Sequence, residues 1–208
     1  MKEYLLHWAA TNQVYVIEDD YDGEFQYRDR PVPSLQGADQ YGVVIYMGTF
    51  SKAFTPALRM NYMVLPEQLL IKLHSMEHVL SCPSRMDQLA MSVFMERGHW
   101  YRHIRRTRKR YRAKRDYLVK LIEEHLSPFT QAKVDSVGLH IEIKVRAKHS
   151  RSKLIELAYQ EGVLLYGPQY EGQYQEGEQS KIYLGFGGVS DDEMEKGILL
   201  MKKAWAEE

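Results

Sequence analysis

The chain has 208 residues, of which 44% are hydrophobic and 27% are charged. These proportions are ordinary for a folded soluble protein and exclude an intrinsically disordered chain. Lys+Arg and Asp+Glu both number 28, so the total charge predicts no polyanionic partner. The single cysteine excludes a disulfide framework within the chain, and no apolar run approaches the ~18 residues of a membrane span. The first ten residues lack the pattern of a secretion signal, so we expect a cytoplasmic location.

The first hundred residues contain short β-type runs separated by polar loops. Tyr4–Ala10 predicts the end of a helix, and apolar runs follow at Val14–Ile17, Val43–Met47 and Asn61–Leu65. These runs are continuous and do not alternate with polar residues, which is typical of parallel α/β sheets that are buried on both faces. From Pro66 to about Leu126 the apolar residues recur at helical spacing, which predicts helices.

The last third of the chain has the pattern of a small α+β domain. Apolar and polar residues alternate over Leu139–Arg146, which predicts a half-exposed strand, and Ile182–Phe186 predicts another. Ser190 and Glu193 have the spacing of a capping box, which predicts the start of the final helix. The apolar face of that helix is predicted to consist of Met194, Ile198, Met201 and Trp205.

We therefore predict an α/β chain that divides near residue 100. Residues 1–99 are interpreted as part of a large domain with a linking helix. Residues 100–208 are interpreted as an interdomain helix and a small C-terminal domain. Between the last two predicted strands, the polar, glycine-containing segment Glu171–Ser180 predicts a loop.

Two of the predicted strands run directly into clusters of polar residues. The first leads into Glu18-Asp19-Asp20-Tyr21, and the second leads into Gly48-Thr49-Phe50-Ser51-Lys52. Ligands of open α/β sheets lie beyond the carboxyl ends of the strands, so acids and a lysine at neighbouring ends could share one site. A surface ion pair among polar loop residues is the alternative, and the spacing alone leaves both open.

The segments EDDYDGEF and MGTFSKAFTPALRMNYMVLP resemble the corresponding stretch of the MocR/GabR-type regulators of the GntR superfamily. These proteins join a winged helix-turn-helix to an aminotransferase-like domain that binds pyridoxal 5′-phosphate (PLP). The similarity is strongest over Val14–Pro66 and covers nearly the whole chain. It implies the C-terminal part of a fold-type-I PLP-dependent transferase, with part of the parallel-type sheet of the large domain and a small α+β domain.

The resemblance implies catalytic and cofactor-binding roles for three residues around the ring of PLP. Lys52 would form a Schiff base with the cofactor aldehyde, for which a lysine amine is suited. Asp19 would face the pyridine nitrogen and keep it protonated, so that the ring can accept electrons. Tyr21 would form a hydrogen bond with the phenolic oxygen.

The resemblance assigns three further residues to the cofactor phosphate. Arg59 would bind it with a forked pair of hydrogen bonds. Thr49 and Ser51 would offer their hydroxyls to the same group. For these two hydroxyls, capping of the turn that follows the strand is the alternative role.

The resemblance also points to the substrate-binding position. Members of the family generally hold the substrate carboxylate with an arginine of the small domain. The segments Tyr166–Tyr170 and Ile182–Phe186 contain no arginine, and Tyr170 or Tyr183 would take its place. This departure favours a domain that senses a small amine or amino acid over an enzyme that turns it over.

Three functions remain open from the sequence. The first is the PLP-binding, effector-sensing domain of a transcriptional regulator, which the two motifs favour. The second is a class I/II aminotransferase that acts on amino acids. The third is a degenerate fragment that binds no cofactor. The resemblance implies a homodimer, with DNA bound only by a winged helix outside this chain. It also places the first half of the PLP domain outside the chain, so we expect the chain alone to bind PLP weakly.

Two other features of the sequence have a bearing on partners. Arg102–Arg115 holds nine Lys/Arg in fourteen residues, which could contact DNA phosphates or form the solvated face of an interdomain helix. The eight histidines show no metal-ligand spacing, so no metal site is predicted.

Overall fold

A computed structural model describes residues 1–27, 33–76, 83–127, 130–134, 137–145, 150–167 and 180–206. The described residues form two compact units, Met1–Arg105 and Arg106–Glu208. The sequence-based division near residue 100 concerns the domains of a larger protein and stays a prediction. None of the described helices is long and apolar enough to cross a membrane.

The first unit contains a three-stranded mixed sheet and helices. Its elements are α1 (Lys2–Thr11), β1 (Val16–Asp20), β2 (Val44–Thr49), β3 (Asn61–Val64), α2 (Glu67–His74), α3 (Arg85–Glu96) and the start of α4 (His99–His125). Strand β2 is central, pairing in parallel with β1 and antiparallel with β3.

This sheet differs from the predicted one in two respects. The prediction of a parallel sheet is right for β1 and β2 and wrong for β3, which runs antiparallel to β2. The prediction of burial on both faces is also wrong, because all four residues of β3 are exposed. An apolar run indicates that a strand is suited to burial. It does not indicate the direction of the strand or whether the strand lies at the edge of the sheet.

Two apolar clusters hold the first unit together. One joins α1 to the sheet through Leu6, Leu35 and Val44. The other contains Phe50, from the turn after β2, with Met60 and Met91, so that it ties the end of β2 to α3. The second cluster therefore packs directly beneath the turn that carries the predicted lysine.

The second unit contains an antiparallel sheet and three helical segments. Its elements are the remainder of α4, β4 (Thr130–Lys133), β5 (His140–Val145), α5 (Arg151–Gln160), β6 (Ser180–Gly185) and α6 (Asp191–Ala206). Strand β5 is central, between β4 and β6. Ile141, Ile143 and Val145 are buried, as the alternation predicts for their face. Glu142, between them, is also buried, so the prediction of a half-exposed strand is wrong at that position.

The final helix agrees with its prediction from the sequence. Ser190 Oγ accepts a hydrogen bond from Glu193 N at 3.2 Å, while Ser190 N and Oγ donate to Glu193 Oε2 at 2.6 and 2.8 Å. This reciprocal arrangement is the predicted capping box. The four predicted apolar residues of α6, Met194, Ile198, Met201 and Trp205, are all buried. Trp205 Nε1 also donates to the carbonyl oxygen of Leu154 at 3.1 Å, which fastens α6 to α5.

Strand β4 was missed because its sequence, TQAK, has no apolar alternation. The predicted loop Glu171–Ser180 lies outside the described residues except for Ser180, which begins β6.

We predict that Ser190→Ala lowers the free energy of unfolding by about 1 kcal/mol, because α6 loses its N-cap acceptor. Ser190→Thr keeps the hydroxyl and should stay close to the wild-type value. Urea unfolding followed by tryptophan fluorescence measures both, and equal stabilities of the alanine and threonine variants would contradict the capping role.

The same variants should differ in pH dependence. The hydrogen bonds from Ser190 lower the pKa of Glu193 in the folded chain. A depressed folded pKa stabilises the fold above the unfolded pKa of about 4.3, and this stabilisation is lost as the pH falls through the folded value. The difference between the wild-type and Ser190→Ala chains should therefore shrink at acidic pH.

Candidate functional site

The parallel pairing of β1 and β2 brings the two predicted polar clusters to one edge of the first unit. In the register of the strands, Asp19 is opposite Met47 and Asp20 is opposite Gly48. The chain leaves both strands at the same end, so the residues that follow β1 and those that follow β2 are neighbours. The predicted convergence of the acids and the lysine is therefore present in the fold.

Lys52 lies in the turn after β2 and makes two contacts with the segment after β1. Its Nζ is 3.1 Å from Asp22 Oδ2, in an ion pair whose side chains are 28% and 16% exposed. The same Nζ lies 4.5 Å from the centroid of the Tyr21 ring, in a cation–π contact. Asp22 was not assigned a role from the sequence, although it stands inside the EDDYDGEF motif.

The three acids of β1 have different environments. Glu18 accepts hydrogen bonds from the backbone N–H groups of Leu35 and Gln36, at 2.6 and 2.9 Å. Asp20 accepts one from the hydroxyl of Tyr46 at 2.8 Å. Asp19 is exposed and points to the opposite face, and none of the described residues pairs with its carboxylate. Glu18 and Asp20 thus fix the chain, whereas Asp19 is open to a ligand.

The three residues predicted to bind phosphate lie at the ends of one hairpin. Thr49 is opposite Asn61 in the ladder, and Phe50 N donates to the carbonyl oxygen of Met60 at 3.1 Å, so the loop between them is closed at its base. Ser51 and Arg59 lie just inside this closure. All three predicted residues are therefore at the end of the sheet that also carries Lys52.

Of the two hydroxyls assigned to the phosphate, that of Thr49 has a hydrogen bond within the hairpin. Thr49 Oγ1 accepts a hydrogen bond from Ser51 N at 3.1 Å, which is the turn-capping role considered from the sequence. A hydroxyl that accepts one bond still has a proton to donate, so capping and anion binding are compatible at Thr49.

Arg59 has a strained backbone. Its φ and ψ angles are 49° and 37°, in the left-handed region that is unfavourable for residues with a Cβ atom. Its side chain is exposed, and no partner for the guanidinium is present among the residues described. A cost of this kind is typical of functional positions, where the surrounding structure holds a side chain in a particular direction.

A tightly packed aromatic layer supports the site from the other face of the sheet. A Cβ atom on Gly48 would lie 2.3 Å from the ring of Tyr62, so only glycine fits beneath that ring. Tyr62 packs against Phe50 and Tyr46, with ring centroids 5.3 and 6.1 Å apart. Burial and the hydrogen bond to Asp20 raise the pKa of Tyr46 well above its usual range, so its hydroxyl remains a donor at physiological pH.

Both predicted substrate-binding residues, Tyr170 and Tyr183, belong to the second unit. Tyr170 lies outside the described residues. Tyr183 is in β6 of the second unit, opposite Glu142, and its ring meets His140 edge-on with centroids 5.2 Å apart. It also lines an open cavity of about 630 Å³ beside α6. Its role in ligand binding stays a prediction.

The donor set of the first unit fits the chemistry of PLP. A primary amine, an open carboxylate, an arginine and two hydroxyls are the groups that an aldehyde, a pyridine nitrogen and a phosphate require. No group of three His, Cys, Asp or Glu that could hold a metal ion is found in the described part of the chain.

Comparison with known proteins gives a consistent result. The profile of the family "Aminotransferase class I and II" matches residues 3–165. The chain belongs to this family. It is 42% identical over 97% of its length to the HTH-type transcriptional regulator YdeL of Bacillus subtilis, of which it covers 43%. It is 31% identical over 97% of its length to the probable rhizopine catabolism regulatory protein MocR of Rhizobium meliloti, of which it covers 41%.

These similarities confirm the resemblance to MocR-type regulators. The chain thus spans less than half the length of these curated relatives. Among solved structures, kynurenine aminotransferase of Pyrococcus horikoshii superimposes with a TM-score of 0.84 and 26% identity, over 99% of this chain and 51% of that one. The fold class predicted from the sequence, the C-terminal part of a fold-type-I transferase, is confirmed.

We predict that Gly48→Ala lowers the free energy of unfolding by about 1–3 kcal/mol, because the new methyl group overlaps the ring of Tyr62. In a Tyr62→Ala background the same change should cost much less, since the ring is gone. Urea unfolding of the four chains in this double-mutant cycle measures the coupling. Additive effects would show that the two positions are not in contact.

We also predict that Arg59→Gly is more stable than Arg59→Ala by about 1 kcal/mol, because only glycine adopts the left-handed conformation without strain. Both variants lack the guanidinium, so the difference isolates the backbone. Thermal unfolding measures it, and the reverse order would contradict the observed φ angle.

Proposed function

We propose that this chain is the PLP-binding, effector-sensing part of a MocR-type transcriptional regulator, with Lys52 as the residue that bonds the cofactor. The observation that carries the proposal is the position of Lys52. The amine of Lys52 lies just after the end of β2, where it contacts Asp22 and Tyr21. At the neighbouring end of β1, the carboxylate of Asp19 has no partner among the described residues.

Each residue of the site has a definite task in this proposal. When bound, the cofactor supplies an aldehyde and an electron-accepting ring. Lys52 would hold the cofactor through its amine, and Asp19 would hold a proton on the pyridine nitrogen. Tyr21 would donate a hydrogen bond to the phenolic oxygen. The exposure of Asp19, and its lack of a partner among the described residues, support the role given to it.

The phosphate is assigned to the hairpin after β2. Arg59 would bind it through its forked N–H donors, and the hydroxyls of Thr49 and Ser51 would donate hydrogen bonds to the same group. Charge-assisted hydrogen bonds of this kind contribute about 1.5–3 kcal/mol each. The hairpin would thus supply much of the affinity of this chain for the cofactor.

Asp22 has a role that the motif did not reveal. It holds the Lys52 side chain by an ion pair. Because the pair is partly exposed, it contributes roughly 1 kcal/mol or less. Asp22 therefore positions the lysine without preventing its transfer to the cofactor.

The effector is proposed to be a small amine or amino acid, and the parent protein a homodimer in the cytoplasm. Tyr170 or Tyr183 would take the place of the arginine expected for the substrate carboxylate, because Tyr166–Tyr170 and Ile182–Phe186 contain no arginine. A protein whose output is a conformational population needs to bind its ligand without converting it. DNA would be recognised by a winged helix, as the names of the HTH-type relatives suggest for those proteins.

An aminotransferase is the second candidate, because the matching family profile is that of aminotransferases and the kynurenine enzyme shares the fold at 26% identity. The two candidates differ in turnover. Rapid multiple turnover of α-amino acids with 2-oxoglutarate by the PLP-loaded protein would favour the enzyme. Stable ligand binding without product would favour the regulator.

We predict that sodium borohydride fixes PLP to Lys52 when the chain is incubated with millimolar cofactor. Peptide mass spectrometry should locate the label on this lysine, and Lys52→Arg should abolish it. Lys72→Arg, which changes an exposed lysine of α2, is the matched control and should keep the label. A label on another lysine in the wild-type chain would refute the assignment.

A further inference from the structure

Three cationic side chains form a row on the outer surface of α4 in the second unit. Arg106, Lys109 and Arg110 stand at positions i, i+3 and i+4, which are neighbours on a helix surface. All three are exposed. None of them has a hydrogen-bond or ion-pair partner among the described residues. We call these three residues the α4 basic face.

Several other cations of the same helix do have partners. Lys114 donates to the carbonyl oxygen of Val189, and its charge adds to the effect of the Ser190 hydrogen bonds in lowering the pKa of Glu193. Further along, Lys120 pairs with Glu124 at 3.5 Å. Glu193 and Glu124 are thus each close to another cation of the helix. Among the described residues, no acid is paired with the α4 basic face.

The sequence around this face contains no acid that could balance it. Every residue from Arg102 to Arg115 is neutral or cationic, although the whole chain has equal numbers of cations and acids. The neutral total charge of the chain therefore conceals a local excess of cations. The expectation of no polyanionic partner rested on that total and therefore does not address this surface.

We propose that the α4 basic face binds the phosphate backbone of duplex DNA without reading its sequence. DNA carries one negative charge per about 1.7 Å of its axis, so three cations within about 6 Å along the helix can meet several phosphates. Arginine also presents a fork that matches a phosphate group. A membrane surface fits less well, because a helix that lies on lipid needs exposed apolar residues beside its cations.

The choice of DNA among polyanions rests on the proposed regulatory function. The positive charge of the face is an observation that does not depend on that function. Such a contact would be additional to sequence reading by a winged helix. It would raise the affinity for any DNA near a specific site, and this contribution would weaken as salt increases.

The test uses the 208-residue chain without cofactor and a fluorescein-labelled 24-base-pair duplex of mixed sequence. Fluorescence anisotropy between 25 and 200 mM KCl gives the slope of log K against log salt. In the variant Arg106→Gln/Lys109→Gln/Arg110→Gln we expect at least 10-fold weaker binding at 50 mM KCl. We also expect a slope smaller by about 2–3, since each phosphate contact contributes about 0.9. Unchanged affinity and slope would overturn the proposal.

Two control variants distinguish the contribution of the α4 basic face to DNA binding from the effects of net charge and of misfolding. Lys181→Gln/Lys196→Gln/Lys202→Gln removes three exposed cations of the same unit, and its slope should change by less than about 1. Losses equal to those of the basic-face variant would show that net charge alone causes binding. Arg106→Lys/Arg110→Lys keeps the charge and should retain the wild-type slope.

Competition identifies the class of polyanion. We expect unlabelled duplex to displace the probe at lower charge concentration than poly-L-glutamate or phosphatidylserine vesicles. Stronger competition by the polypeptide or the vesicles would assign the face to an acidic protein or a membrane and refute the DNA contact. PLP trapping at Lys52 is measured separately, so failure of one proposal leaves the other testable.

Discussion

The site depends on the parallel pairing of β1 with β2. In an antiparallel pair, the residues after one strand would lie at the opposite end from those after the other. Parallel pairing places Asp22 and Lys52 at the same end, where their side chains meet at 3.1 Å. The acid cluster and the lysine turn are thus brought together by the direction of two backbones, before any interaction between their side chains contributes.

The interactions around Lys52 are weak for a structural reason. The ion pair with Asp22 is partly exposed, and a cation–π contact such as that with Tyr21 contributes about 0.5–1 kcal/mol. Strong anchoring comes instead from the layer beneath, where Gly48, Tyr62 and Phe50 are in close contact. The aromatic layer therefore supports the backbone of the turn while the amine is held only by weak contacts, and the proposed bonding of Lys52 to a cofactor would need both properties.

Much of the fold could be predicted from the sequence, because local patterns determined it. The capping box of Ser190 and the four buried residues of α6 follow from spacing alone, since helix geometry fixes which positions share a face. The antiparallel direction of β3 could not be predicted in this way. It depends on the hairpin closed between Phe50 and Met60, which no periodicity in the sequence records.

The candidate site was predictable where a motif specified it and not elsewhere. The motif named Asp19, Tyr21 and Lys52, and the fold brings the last two into contact. It gave no role to Asp22, because nothing in a row of acids shows which carboxylate turns toward the lysine. Strand alternation separates Asp19 from Glu18 and Asp20, and only the hydrogen bonds of the latter two show that they are structural.

The total charge of the chain also gave no indication of the α4 basic face. A count of 28 cations and 28 acids describes the whole chain, but electrostatic attraction depends on distance and is screened beyond about 8–10 Å. Acids at the start of α6 can offset Lys114, which faces them, as the lowered pKa of Glu193 indicates. They offer no partner to Arg106 or Arg110, which are exposed on α4. A neutral protein can therefore present a cationic surface, provided that its acids are engaged elsewhere in the fold.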